Sequence, residues 1–265
     1  MSKPSILLIP GSFALPEFYD PVMNAVSAKG YSIRSLHMPT VGLTAGKPRE
    51  GTPPTMYDDA AFIAKEVQVL VDEGKDVILI CHSYGGAPTS QSTKGLSKVE
   101  RQVEGKEGGI VRLGYMTAVV PALGASAQDV LADLPPENQA SMKLDEHGWL
   151  YHDPISASAA LTFSHLSPEE GEAWVRKFPQ HSAVSFSNEL THAGYKDIPV
   201  SYLFCEEDLC VTPDLQRKGI ESMEEASGKK VDITSIKSDH APPMSHPEMV
   251  VEWILDVAEK AERGQ

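Results

Sequence analysis

Val77-Ile78-Leu79-Ile80-Cys81-His82-Ser83-Tyr84-Gly85-Gly86 carries an apolar strand directly into a serine, and the serine into a segment able to start a helix. On so sharp a strand-to-helix turn a serine is lifted clear of the backbone. Its Oγ is exposed and the next N–H faces the same space. Gly85 supplies the small residue that lets strand and helix approach. The usual pattern for such a turn is G-x-S-x-G, and here Cys81 stands in the place of the first glycine. Cysteine is small enough for a strained turn, and at the end of an apolar strand it reads as a core residue, not a nucleophile. Without function, the stretch would be a buried strand closed by an ordinary turn.

The same rhythm recurs on both sides of this stretch. Ser5 to Ile9, between Pro4 and Pro10-Gly11, suits a buried parallel strand. Phe18 to Ala28 reads as a helix ended by Gly30, Tyr31 to His37 as a strand, and Pro39 to Pro54 as a Gly/Pro/Thr-rich loop. Met56 to Asp72 carries Ala60, Ile63, Val67 and Val71 at helical spacing and stops at Gly74. Strands follow at Val111 to Val120, Val200 to Phe204 and Val231 to Ile236, and Pro247 to Glu262 closes the chain as an amphipathic helix. Strands alternating with long helices imply βαβ units and a mainly parallel sheet flanked by helices. Between Pro121 and Lys196 the rhythm breaks into an Ala, Ser, Pro and Glu-rich region that reads as short helices without a strand. The expectation is an α/β core formed by residues 1–120 and 197–265, with residues 121–196 inserted as a helical cap.

Composition narrows the function classes. The 265 residues are 41% hydrophobic and 23% charged, enough for one large core. A formal net charge of -14 repels phosphate backbones and anionic lipid, and the basic stretches Lys94 to Arg101 and Arg217 to Lys230 are interleaved with Glu. Neither nucleic-acid nor membrane binding is expected. Three cysteines (Cys81, Cys205, Cys210) make no disulfide framework, and Ile6 to Ile9 is too short for a signal or spanning segment. A cytoplasmic protein is the default reading. No cluster has zinc-like ligand spacing, so no metal and no organic cofactor is implied. A small-molecule substrate is the expected partner, with a homodimer left open.

A serine hydroxyl needs a base to take its proton. Of nine histidines, His240 has the best context, in the loop after the Val231–Ile236 strand. Sites in parallel sheets collect at the carboxyl ends of the strands, so this loop can lay an imidazole over Ser83. His147, His152, His165, His181 and His192 fall in the cap and read as substrate contacts or surface. The base in turn needs a carboxylate to fix its tautomer. The Val200–Phe204 strand ends in Cys205-Glu206-Glu207-Asp208, and an acid here fits the chain order Ser, Asp, His. Acyl transfer also needs donors aimed at a developing oxyanion. The N–H of Tyr84 is one; the other should come from Gly11-Ser12-Phe13, with Ser12 first and Phe13 second. Phe13, Tyr84 and the Pro242-Pro243-Met244 segment should line an apolar pocket, with Phe13, Pro243 and Met244 as substrate contacts.

The stretches IPGSF, CHSYGG, CEEDLCVTP and SDHAPPMSHPEM resemble the compact α/β-hydrolases that include plant methylesterases and hydroxynitrile lyases. The resemblance is closer still to small fungal relatives that share the GGIVRLGYMTAVVP type of segment. It covers Ser5 to Ile254 and weakens through the cap. It implies the α/β-hydrolase fold, with Ser83 as nucleophile, Asp208 as acid, His240 as base, and Ser12 and Tyr84 as oxyanion donors. Two departures stand out: Pro10 where many members have histidine, and Cys81 where many have glycine. Hydroxynitrile lyases of this group use a lysine just after the catalytic histidine, and Ala241 at that position argues against cyanohydrin cleavage.

The combined expectation is a serine hydrolase cleaving a carboxylic ester, lactone or thioester of a small apolar substrate through an acyl-serine. The same triad would serve an acyl transferase or lactone-forming cyclase of natural-product (polyketide) secondary metabolism, or a ligand receptor with little turnover. Sequence does not choose between these, nor does it name the acyl and alcohol groups.

Overall fold

A computed structural model of the chain describes residues 3–264. Its elements run β1 (Ser5–Ile9), α1 (Asp20–Ala28), β2 (Ile33–Ser35), α2 (Met56–Asp72), β3 (Asp76–His82), α3 (Gly86–Ser92), α4 (Lys98–Val103) and β4 (Gly109–Met116). Then come α5 (Ala127–Leu131), β5 (Met142–Leu144), β6 (Trp149–His152), α6 (Ile155–Thr162), α7 (Pro168–Val175) and β7 (His181–Ser182). The chain closes with β8 (Val200–Cys205), α8 (Pro213–Ser227), β9 (Asp232–Ile236), α9 (Pro242–Ser245) and α10 (Pro247–Glu262).

Six strands form one parallel sheet in the order β2-β1-β3-β4-β8-β9. Successive side chains of a strand point to opposite faces, and here both faces are covered. Leu7, Ile9, Val77, Leu79 and Cys81 pack with Ile63, Val67 and Val71 of α2 and Ile220 and Met223 of α8. Ile6, Leu8, Ile78 and Ile80 pack with Val22 and Val26 of α1 and Val250, Trp253, Ile254 and Val257 of α10. Burial on both faces is why these strands read as unbroken apolar runs instead of alternating ones.

After β1 the chain turns to one side for β2, then crosses β1 to lay β3 on the other. The carboxyl ends of β1 and β3 therefore flank a topological switch point, where such sheets open a crevice.

Two differences from the sequence expectation stand in the fold, one within residues 121–196 and one at β2. Residues 121–196 hold α5, α6 and α7, and also a three-stranded antiparallel sheet, β5-β6-β7, where no strand was expected. Strands of two to four residues are too short for a period-2 pattern to stand out from the sequence. The strand read over Tyr31 to His37 also shrinks to the three residues of β2, an edge strand with one neighbour. No helix among the described residues is long and apolar enough to cross a membrane.

Candidate active site

Ser83 sits at the end of β3 with φ +52°, in the left-handed region that costs an L-residue about 1–2 kcal/mol. Two glycines make that turn sterically feasible. A Cβ on Gly85 would lie 2.6 Å from the Pro10 carbonyl oxygen and 2.8 Å from that of Ile9. One on Gly11 would lie 3.1 Å from Ser83 Cβ. Cys81 is fully buried in the core, its thiol 3.5 Å from the Gly114 carbonyl oxygen. Burial pushes that thiol far above its ordinary range, which suits packing and not nucleophilic attack.

His240 and Asp208 meet Ser83 from two other loops. His240 Nε2 lies 2.9 Å from Ser83 Oγ, and His240 Nδ1 lies 2.7 Å from Asp208 Oδ2. A carboxylate oxygen accepts, so Nδ1 carries the proton and Nε2 presents its lone pair to the serine. All other partners of Asp208 are donors: the Thr117 hydroxyl on Oδ2, and the N–H groups of Cys210 (2.6 Å) and Val211 (2.9 Å) on Oδ1. Glu206 instead accepts from Ser235, and Glu207 pairs with His165 at 2.8 Å. The His240 loop is itself tied down, because Asp239 accepts from Ala241 N–H, the Ser245 hydroxyl and His165 N–H.

The loop after β1 spends its outer N–H groups. Gly11 N–H donates to Tyr19 Oη at 3.1 Å, and Phe13 N–H to His181 Nδ1 at 3.4 Å. Ser12 N–H has no acceptor among the described residues, which separates it from Phe13 as the candidate oxyanion donor. Tyr84, whose N–H is the other candidate, is anchored by its ring: its hydroxyl donates to Asp59 Oδ2 at 3.2 Å. Asp59 also accepts from Thr40 N–H and the Thr40 hydroxyl, and burial raises its carboxyl to about 7.

Two further contributors, His82 and Tyr19, belong to no motif. His82 Nε2 lies 2.7 Å from the His240 carbonyl oxygen, so it donates there, and Nδ1 then accepts from Tyr19 Oη at 2.8 Å. This chain of hydrogen bonds links the loop after β1, the Ser83 turn and the His240 loop. Burial, with His240 nearby, pushes His82 down to about 3, so the link stays neutral. The strand register could have found His82, since it lies on the same face as Ile78 and Ile80; nothing local points to Tyr19.

A cavity of about 590 Å³ opens over Ser83. Ser12, Phe13, Tyr84, His152, Phe163, Phe178 and Met244 are on its wall. Pro243, expected beside Met244, is not among the lining residues. Ala241, just before α9, and Met244 within it are three apart and both line the cavity, whereas Pro243 is buried away from it. His181 is fully buried and also off the wall, so it is neither surface nor substrate contact. Among the described residues one set of side chains is close enough to hold a metal ion: Asp208, Cys210 and His240, with ligand atoms within 4.8 Å. Two of its members are already hydrogen-bonded to each other.

A parallel sheet flanked by helices, with a serine on a tight turn after β3 and histidine and aspartate in later loops, defines an α/β-hydrolase architecture. The chain belongs to the alpha/beta hydrolase family, whose sequence profile matches residues 6–253. It is similar to the Phoma sp. protein named "Probable hydrolase R7", 33% identical over 97% of this chain and 99% of that one. A pyrethroid hydrolase of Sphingobium wenxiniae is 26% identical over 98% of this chain and 89% of its own length. Among solved structures, the crystal structure of a pyrethroid hydrolase superposes with a TM-score of 0.74 at 22% identity, covering 97% and 98% of the two chains.

Proposed function

We propose that the chain hydrolyses a carboxylic ester, lactone or thioester of a small apolar substrate through an acyl-serine, under a cap formed by residues 121–196. The observation that carries this reading is the unbroken line Ser83 Oγ, His240 and Asp208 at 2.9 and 2.7 Å. Ser83 Oγ attacks the substrate carbonyl while His240 Nε2 takes its proton, and Asp208 stabilises the imidazolium that results. The N–H groups of Tyr84 and Ser12 receive the oxyanion. The tetrahedral species collapses, His240 gives the proton to the leaving oxygen (the sulfur of a thioester), and the acyl group stays on Ser83. Water, activated by His240 in the same way, then releases the acid. The apolar wall holds the organic part of the substrate and strengthens these charge interactions by excluding water. Relatives named hydrolases support the reaction class.

An activated serine in an oxyanion hole attacks phosphorus as it does carbon. A fluorophosphonate probe should therefore label Ser83, and 4-nitrophenyl butyrate should give a burst of about one nitrophenolate per chain. Labelling that survives Ser83→Ala, or maps to Cys81 or Cys210, would overturn the reading.

A further inference from the structure

His181 belongs to β7, in the inserted region, yet its ring is spent on the core. Phe13 N–H can only donate, so His181 Nδ1 accepts from it at 3.4 Å. Nε2 must then carry the proton, and it lies 3.0 Å from Ser185 Oγ. Ser185 in turn donates to the Ser182 carbonyl at 2.8 Å. The relay closes with one proton per bond, so the tautomer is fixed from both ends. Burial, with His152 nearby, lowers His181 to about 3 and keeps it neutral.

Its position is equally determined. His181 pairs with Leu150 of β6 on one side and bridges Val41 of the core on the other. Phe13, which it holds, has φ +59°. A non-glycine residue keeps such a conformation only where its surroundings over-determine it. The Phe13 ring, packed on His152 and Phe178, supplies part of that constraint, and the bond to His181 supplies the backbone part. The same imidazole stands edge-on to the Tyr84 ring at 4.8 Å. One cap side chain thus touches the residues carrying or flanking both candidate oxyanion donors.

We propose that His181 is a positioning residue for the oxyanion hole: by accepting the Phe13 N–H it locks the loop after β1 so that the Ser12 N–H is left to the substrate oxygen. The inference rests on the reading of Ser83 as nucleophile and Ser12 as oxyanion donor. It makes the cap part of the catalytic apparatus, since unseating β7 would release the hole as well as uncover the pocket.

The test compares His181→Phe, which keeps a ring but has no acceptor, with His181→Asn, whose Oδ1 can take the place of Nδ1. On 4-nitrophenyl butyrate, His181→Phe should lower kcat roughly 10- to 100-fold, less than deleting an oxyanion donor outright, with KM changed by less than about twofold. Affinity for 1,1,1-trifluorodecan-2-one, which forms an oxyanion adduct on the serine, should fall in parallel, because it reads the hole and not the pocket. His181→Asn should recover most of both losses. An unchanged kcat and ketone affinity in His181→Phe, a loss confined to KM, or an Asn variant no better than Phe would each sink the proposal. If His181→Phe does not fold, Ser185→Ala decides: removing the Nε2–H acceptor frees the tautomer and should lower kcat and ketone affinity severalfold at constant KM, and no effect counts against the idea. Turnover that persists in Ser83→Ala would defeat the underlying catalytic reading. Turnover that needs Ser83 but ignores His181 would defeat this inference alone.

Discussion

Asp208 is distinguished from its neighbours by where its oxygens go. Three acids end β8, but Glu206 and Glu207 are exposed and bond to Ser235 and His165, whereas Asp208 is buried among four donors, one of them His240. Amidating it would put a donor where an acceptor is needed and leave His240 in the wrong tautomer. Asp208→Asn should therefore lower kcat by about 10⁴, the scale on which a triad acid acts. Glu207→Gln should stay within a few-fold of wild type. Steady-state kinetics on 4-nitrophenyl butyrate separate the two, and a larger loss in Glu207→Gln would reassign the acid.

At the level of elements, α2 shows how local chemistry sets a boundary. Thr55 accepts from Asp58 N–H while the Asp58 carboxylate accepts from Thr55 N–H at 2.7 Å, a reciprocal capping box. Ala60, Ile63, Val67 and Val71 then follow at helical spacing and are all buried. Losing the cap costs about 1 kcal/mol. In a chain of this size that is a fall of roughly 2–4 °C in the melting temperature. Thr55→Ala should show this by calorimetry with activity at 25 °C within about twofold; an unchanged melting temperature would mean that packing of the apolar stripe alone sets the helix start. The short strands of the inserted region are the opposite case. Trp149 is buried and His181 is held by pairing to β6 and Val41, so tertiary contacts define these strands, not local pattern.

For the whole molecule, buried titratable groups tie stability to pH. Burial depresses His82 and His181 to about 3 and His152 to about 4, and raises Asp59 to about 7. An unfolded chain would protonate these histidines near 6.5. Their contribution is therefore present above that value and is lost as pH falls toward 4. Asp59 acts in the other sense: its carboxyl binds a proton in the fold but not in the unfolded chain between about 4 and 7, so its stabilisation is lost as pH rises. Three histidines against one aspartate leave about two protons taken up on unfolding near pH 5.5, or roughly 3 kcal/mol of stability per pH unit. Calorimetry in buffers of different ionisation enthalpy would measure the uptake. A melting temperature that stays flat from pH 6.5 to 4.5 would contradict it.

The parallel sheet and its long helices were legible because each obeys a period that a linear pattern can carry: β3 and β8 as apolar runs buried on two faces, α2 and α10 as stripes at 3.6 residues. The candidate residues Ser83, Asp208 and His240 were legible for a related reason, since each lies within four residues of the end of β3, β8 or β9, and these strand ends converge on one edge. What the sequence could not carry was partnership across the fold. His82 is marked only by its register on β3, and His181 looks like any other histidine of residues 121–196. Only folding brings Tyr19 and the His240 carbonyl to the first, and Phe13 and Ser185 to the second. The exclusion of Pro243 from the cavity wall has the same origin. A hydrogen bond between residues 168 positions apart leaves no period and no motif; it exists only because the sheet and the inserted region are packed together.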